Sequence, residues 1–318
     1  MDEFLSGLNE VVLKFITDAS MYDISELSSI DRVYSTIFSY KIPSFSEKIK
    51  NRFGFSKSLE LAYHFFDFLD TAYGEYYLNK VNGDSIIYSY DPKGVDNATS
   101  YYVDNQKMIY LPYRQDIFDS FTLVHEVLHD MNLDINNINN VRNLYTEYIS
   151  ILGEFLFQDY INENYDIRCS INNKNNFNCC FLKAVDVSFY VDLVKEFLDN
   201  GYINKFIFEN IIVKYNSYYH DHLIKLVDKF ISKGNLPIFY EYRYLIGILL
   251  SCYSKDLYDN GRFDIDMFKY INENINSMDY EDLYELLSLD FDDSYTLLLS
   301  SDSYDKLGRS YEKIMGRM

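Results

Sequence analysis

The chain has no tryptophan, four prolines, four cysteines and only five histidines. Scarce proline leaves room for long helices, because proline removes a backbone donor and breaks helix interiors. The cysteines are Cys169, Cys179, Cys180 and Cys252. No CxxC spacing occurs, and the adjacent Cys179 and Cys180 cannot easily pair. They read as free thiols of a reducing compartment, where the sequon at Asn97 has no meaning. Basic residues are also in deficit, 29 against 49 acidic, for a net charge of −20. That balance argues against sequence-independent binding to DNA, RNA or anionic lipid. No apolar run approaches the roughly 18 residues of a membrane span. The acidic, amphipathic start MDEFLSGLNEVVLKF lacks the basic opening and small-residue cleavage site of a signal peptide. A cytoplasmic protein with no nucleic-acid or membrane partner is expected.

What is present is apolar and aromatic. Hydrophobic residues make up 48% of 318, with 33 tyrosines and 24 phenylalanines. That is enough to bury a core for one large domain or two modest ones. The abundance of tyrosine beside asparagine, isoleucine and lysine suggests an AT-rich genome, so tyrosine count alone is no functional signal.

Apolar residues at three and four spacing predict helices over 2–18, 24–40, 44–51 and 56–80. The period then shortens. SIIYSY (85–90), SYYV (100–103) and MIYLPY (108–113) are β-rich and separated by the turn-like DPKG and DNQK. They predict a small antiparallel sheet of about three strands. Pro112 cannot donate to a ladder, so the last strand is expected at an edge. Helices are predicted again at 116–132 and 143–161, with an Asn-rich loop at 172–180 and helical pattern from 181 onward. The fold class is mainly α, as an α+β protein. A helical region, 1–80, precedes a second region, 81–318, in one compact two-lobed domain.

LVHEVLHDMN (123–132) holds two of the five histidines. HEVLH sets His125 and His129 one helical turn apart on the same face. Two imidazoles so placed can share one tetrahedral Zn²⁺. Glu126 sits beside the first ligand, where it can take a proton from a metal-bound water. Chance rarely produces this pattern with so few histidines, and the apolar flanks Val124, Val127 and Leu128 make a buried, unpaired histidine pair costly. A third ligand is needed. Asp130 adjoins His129 but points about 100° away around the helix. Glu147, on the next helix, can return to the metal if the two helices run antiparallel; otherwise it is a solvated helix-face glutamate. Glu154, two turns further along that face, can orient a ligand histidine.

With these residues in view, YTEYISILGEFLFQDYI resembles the second zinc helix of the thimet oligopeptidase and oligoendopeptidase F family, gluzincin metallopeptidases. Glu147, Ser150, Glu154 and Asp159-Tyr160 occupy the matching positions. PIFYEYRYLIG (237–247) is similar to the family's tyrosine-rich segment, and the pattern from MFKYINENINSMDYEDLYELLSLDF to the last helix is similar to its closing helices. The resemblance covers roughly 55–318. It implies a helical zincin fold with the small sheet beside the HExxH helix and a catalytic region over 81–318. It implies Zn²⁺ on His125, His129 and Glu147, and short unstructured peptides as substrates. The peptide is expected in extended form along the edge strand 108–113. A phenol can stabilise an oxyanion beside a metal, and Tyr240 and Tyr244 share a helix face. The family's histidine before the tyrosines has no counterpart in ISKGNLPIF. His220 and His222 are the nearest candidates, but i,i+2 residues face apart and read better as surface or supporting groups. His64, amid aromatics, reads as a core histidine, and Arg243 as solvated. The expected activity is a zinc metallopeptidase with Glu126 as general base. The alternatives are a dedicated protease for one regulatory or host protein, and a catalytically silent zinc-containing binding module.

Overall fold

Asp70 divides what spacing predicts as one helix into two, Phe55–Leu69 (α2) and Thr71–Asn82 (α3), after the amino-terminal α1 (Asp2–Asp18). Its backbone is extended, with φ −167° and ψ 139°, and its carboxylate accepts from the Ala72 N–H at 2.9 Å. An aspartate cap satisfies a donor that a helix start otherwise leaves orphaned, so a second helix can begin at once. The computed structural model describes residues 2–18, 32–34, 36, 53–91, 97–133, 145–165, 167, 175–290 and 299–316. The helix expected at 44–51 and most of that at 24–40 lie outside these residues.

The sheet has three strands, β1 (Ile86–Tyr90), β2 (Thr99–Val103) and β3 (Gln106–Tyr113), in the order β1-β3-β2. β2 and β3 form an antiparallel hairpin in which Thr99 faces Tyr110. Asp104 and Asn105 turn it with φ of 49° and 64°, the left-handed pair that a tight primed turn demands and that Asp and Asn tolerate. β1, however, runs parallel to β3, with Ile86 opposite Ile109. The sheet is therefore mixed rather than antiparallel, and 108–113 is the central strand rather than an edge. Pro112 is tolerated there for a reason of register. Ile109 N–H donates to Ser85 O on the β1 side, so Pro112 turns its nitrogen to the β2 side, beyond the last β2 pair at Thr99–Tyr110. A peptide cannot pair with 109–110, which both neighbours already flank.

Helices follow: α4 (Phe118–Asn132), α5 (Thr146–Asn164), α6 (Asn175–Asn200), α7 (Lys205–Lys214), α8 (His220–Lys233), α9 (Ile238–Asp259), α10 (Ile265–Asn274), α11 (Tyr280–Leu286) and α12 (Ser301–Gly316). α6 begins inside the stretch expected as an Asn-rich loop, because the helical run downstream extends back through NNFNCC. Among the described residues no helix is long and apolar enough to cross a membrane.

The chain divides into two compact units: Met1–Lys41, Asn178–Leu245 and Leu289–Gly308, and Ile42–Phe177, Ile246–Ser288 and Arg309–Met318. In the first, α1 packs on α8, and Asn9 clamps Ile203, donating to its carbonyl at 2.9 Å and accepting from its N–H at 2.7 Å. In the second, α4 packs on α5, on α2 and on the sheet. Fully buried Phe65 and Phe157 meet edge to face at 5.2 Å, and Phe157 meets Phe121 at 4.9 Å. Each such pair adds about 1 kcal/mol beyond its buried area. This aromatic seam joins α2, α4 and α5, and so sets the two helices that carry the HExxH motif and Glu147.

Candidate metal centre

α4 buries Leu123, Val124, Val127 and Leu128 completely, which leaves one face for His125 and His129. Both ends of the helix are fixed by charge. At its start, the buried Asp119 carboxylate accepts from the N–H groups of Arg114 and Gln115, both at 2.8 Å. At its end, Lys107 Nζ donates to the carbonyls of Asp130 and Met131 at 2.9 and 3.3 Å, a cation where the helix dipole is negative. The Asp130 side chain is fully buried and paired, with the Tyr76 hydroxyl at 2.5 Å and Lys80 Nζ at 2.8 Å. It thus anchors the helix end instead of joining the metal group, since a buried carboxylate without such partners would be costly.

α5 brings Glu147 to the same place. Its approach is close: a Cβ on Gly153 would lie 2.1 Å from Leu128 Cδ1 of α4. On the other side of α5, a Cβ on Gly247 of α9 would lie 3.1 Å from both Glu147 Cβ and the Tyr148 nitrogen. Ser251 Oγ donates to Tyr148 O at 2.8 Å, and the Tyr148 hydroxyl meets Ser254 Oγ at 2.7 Å. Small residues on α9 therefore let its backbone press on the first turn of α5, where Glu147 sits.

The result is a convergent group. Glu147 Oε2 lies 3.4 Å from His125 Nε2 and 3.5 Å from His129 Nε2, and the three ligand atoms fall within 4.8 Å of one another. Ligands of a tetrahedral Zn²⁺ at about 2.0–2.1 Å stand roughly 3.3–3.4 Å apart, so the donor set fits such an ion. Glu154 Oε1 lies 2.6 Å from His125 Nδ1. In the neutral imidazole that contact holds the proton on Nδ1, so Nε2 is the nitrogen with a lone pair to give a metal ion. Burial alone would push the His125 pKa down, but hydrogen bonds to Glu147 and Glu154 outweigh it and hold it well above the usual value. Burial likewise raises Glu147, and the two histidines outweigh it and hold the carboxyl well below the usual range. The group thus concentrates negative charge against two imidazoles, as a cation site does. Glu126 is also buried; its Oε2 accepts from Ser100 Oγ of β2 at 2.9 Å.

Each of the other expected residues belongs to one of the two units. Tyr240 and Tyr244 sit on the first turns of α9, in the first unit. The Tyr240 side chain is outside the described residues. Lys183 Nζ stands 3.8 Å over the Tyr244 ring, and Arg243 donates to its hydroxyl at 3.3 Å, so Arg243 is not simply solvated. His220 Nε2 meets Tyr215 O at 3.0 Å and His222 Nε2 meets Asp186 Oδ1 at 2.7 Å. Both belong to the first unit, and neither joins a metal-ligating group among the described residues. His64 is not in the core; its side chain is 43% exposed beside Glu60 on α2. Helical spacing puts it next to aromatics, but on the rim of the buried face. Ser100 was not anticipated. A lone serine in a strand carries no signal, and only the packing of β2 on α4 brings it to Glu126.

No family model matches the chain, and no curated protein is similar to it in sequence. Among solved structures, it resembles a Bacillus anthracis str. Ames protein provisionally named oligoendopeptidase F. The two are 15% identical with a TM-score of 0.52; the match covers 99% of this chain and 56% of the other. The chain thus spans about half of that protein's length. The likeness shows a shared fold, mainly α with a small sheet in this chain.

Proposed function

We propose that this protein is a zinc-dependent metallopeptidase that hydrolyses short unstructured peptides. One observation carries the reading: His125 Nε2, His129 Nε2 and Glu147 Oε2 converge at the spacing of zinc ligands. Zn²⁺ held by them would supply a Lewis acid that polarises the peptide carbonyl and activates water. Glu126, one residue from His125, takes the proton of the attacking water and returns it to the leaving amine. Glu154 keeps His125 in the ligating tautomer. For the oxyanion, the family resemblance nominates Tyr240 and Tyr244.

The peptide adds to β2, not β3. Odd-numbered residues of β3 turn their backbone groups to β1, so Thr99, Tyr101 and Val103 pair with β3 while Ser100 and Tyr102 turn theirs outward. Among the described residues no strand covers that edge. An extended peptide there would gain main-chain hydrogen bonds next to Glu126, with little dependence on its sequence.

A digest of a random short-peptide pool, read by mass spectrometry, tests the proposal. The zinc-loaded protein should generate internal cleavage products, and zinc-loaded Glu126→Gln should lose at least about 100-fold in rate. Equal product spectra from the two, both holding zinc, would contradict it.

A further inference from the structure

We infer that Ser100 is a positioning residue that couples docking of the substrate strand to the orientation of Glu126. The inference rests on the peptidase reading above. Ser100 Oγ lies 2.9 Å from Glu126 Oε2 and 2.7 Å from the Glu126 carbonyl oxygen. Its one proton serves two acceptors on the same residue, so the hydroxyl is aimed at Glu126 in either arrangement. Glutamate has three rotatable side-chain torsions, and a hydrogen bond at the tip selects among them. Held by Oε2, the carboxylate keeps Oε1 clear of hydrogen bonds from described residues, as an oxygen that must take a proton requires.

The second half of the inference is the place of Ser100 in the sheet. Its side chain turns toward α4, while its own N–H and C=O lie on the outward edge of β2. Tyr102, two residues on, shares that orientation, and its hydroxyl donates to Leu133 O just past α4 at 3.0 Å. β2 is therefore fastened to α4 at two points by side chains of its inner face. A peptide added to the outer edge bonds the main chain of the residue whose side chain holds the base. The scissile carbonyl and Glu126 are then referred to one short strand, and small movements of that strand carry both together. Positioning of this kind acts on the chemical step, because it narrows the geometry in which proton transfer occurs.

The test uses zinc-loaded Ser100→Ala, Ser100→Thr and Glu126→Gln in the peptide digest, with zinc affinity measured for each. Ser100→Ala should lower kcat about 3- to 10-fold, the worth of one hydrogen bond, with KM and zinc affinity within about twofold. Ser100→Thr keeps the hydroxyl and should restore kcat to within about threefold. A readout without turnover accompanies it: a double-mutant cycle of Ser100→Ala with Glu126→Ala, read as unfolding midpoints. The two substitutions should be non-additive, the second shifting the midpoint less in the presence of the first. An unchanged kcat in Ser100→Ala beside an inactive Glu126→Gln would overturn the role of Ser100 and leave the peptidase reading standing. Additive midpoints would overturn it too. Equal digestion by wild type and Glu126→Gln would instead overturn the peptidase reading, and this inference with it.

Discussion

A neutral imidazole has one lone pair to give a metal, and its surroundings choose which nitrogen carries it. At His125 the choice falls to Glu154, 2.6 Å from Nδ1. Glu154→Ala should therefore weaken zinc binding about 10- to 100-fold, as measured by competition with a chelator. Glu154→Gln, which keeps an acceptor, should lose less. An affinity unchanged in both would mean that the contact does not orient the ligand. Residues of this kind differ in how far sequence alone reveals them. The pairing of His125 with His129 is enforced by helix geometry, so the spacing HEVLH displays it. Glu147 and Glu154 lie seven residues apart on α5, two turns, which places them on one face. Ser100 reaches Glu126 only through the folding of a hairpin onto α4, and nothing in its neighbours announces that.

At the scale of elements, the metal group depends on how closely three helices approach. Gly247 of α9 is the sharpest case, because its neighbours across the gap are backbone and a Cβ rather than the tip of a flexible chain. A methyl there must push the first turn of α5 by a few tenths of an ångström. Gly247→Ala should lower stability by about 1–3 kcal/mol and also weaken zinc binding, since Glu147 moves with that turn. Denaturant unfolding and a zinc titration check the two parts; normal zinc affinity would show that Glu147 tolerates the shift. Most element types were legible from hydrophobic period, and α1 and the three strands fall within two residues of their expected bounds. The break at Asp70 was not, because a cap competes with periodicity and the periodicity continues across it. The strand order was missed as well. Pro112 argued for an edge, and only the register shows that its nitrogen faces a flank where β2 has ended.

At the scale of the molecule, all three residues of the proposed zinc site belong to one of the two compact units. A ligand that binds only the native state stabilises what it binds, by about 4 kcal/mol at a thousand times its Kd. Zinc should therefore raise the melting temperature of the second unit by several degrees, and calorimetry should show no such shift in His129→Ala. A shift retained in that variant would place the stabilising ion elsewhere. The net charge of −20 disfavours unspecific binding of polyanions, and the charge itself was readable at once from composition. The division into two units was not, because each gathers segments distant in sequence. The most direct test of the metal centre itself is zinc X-ray absorption on the loaded protein. The account predicts one zinc per chain with only nitrogen and oxygen neighbours at about 2.0–2.1 Å, and loss of that ion in Glu147→Ala. A sulfur neighbour near about 2.3 Å, or a spectrum unchanged in Glu147→Ala, would contradict it.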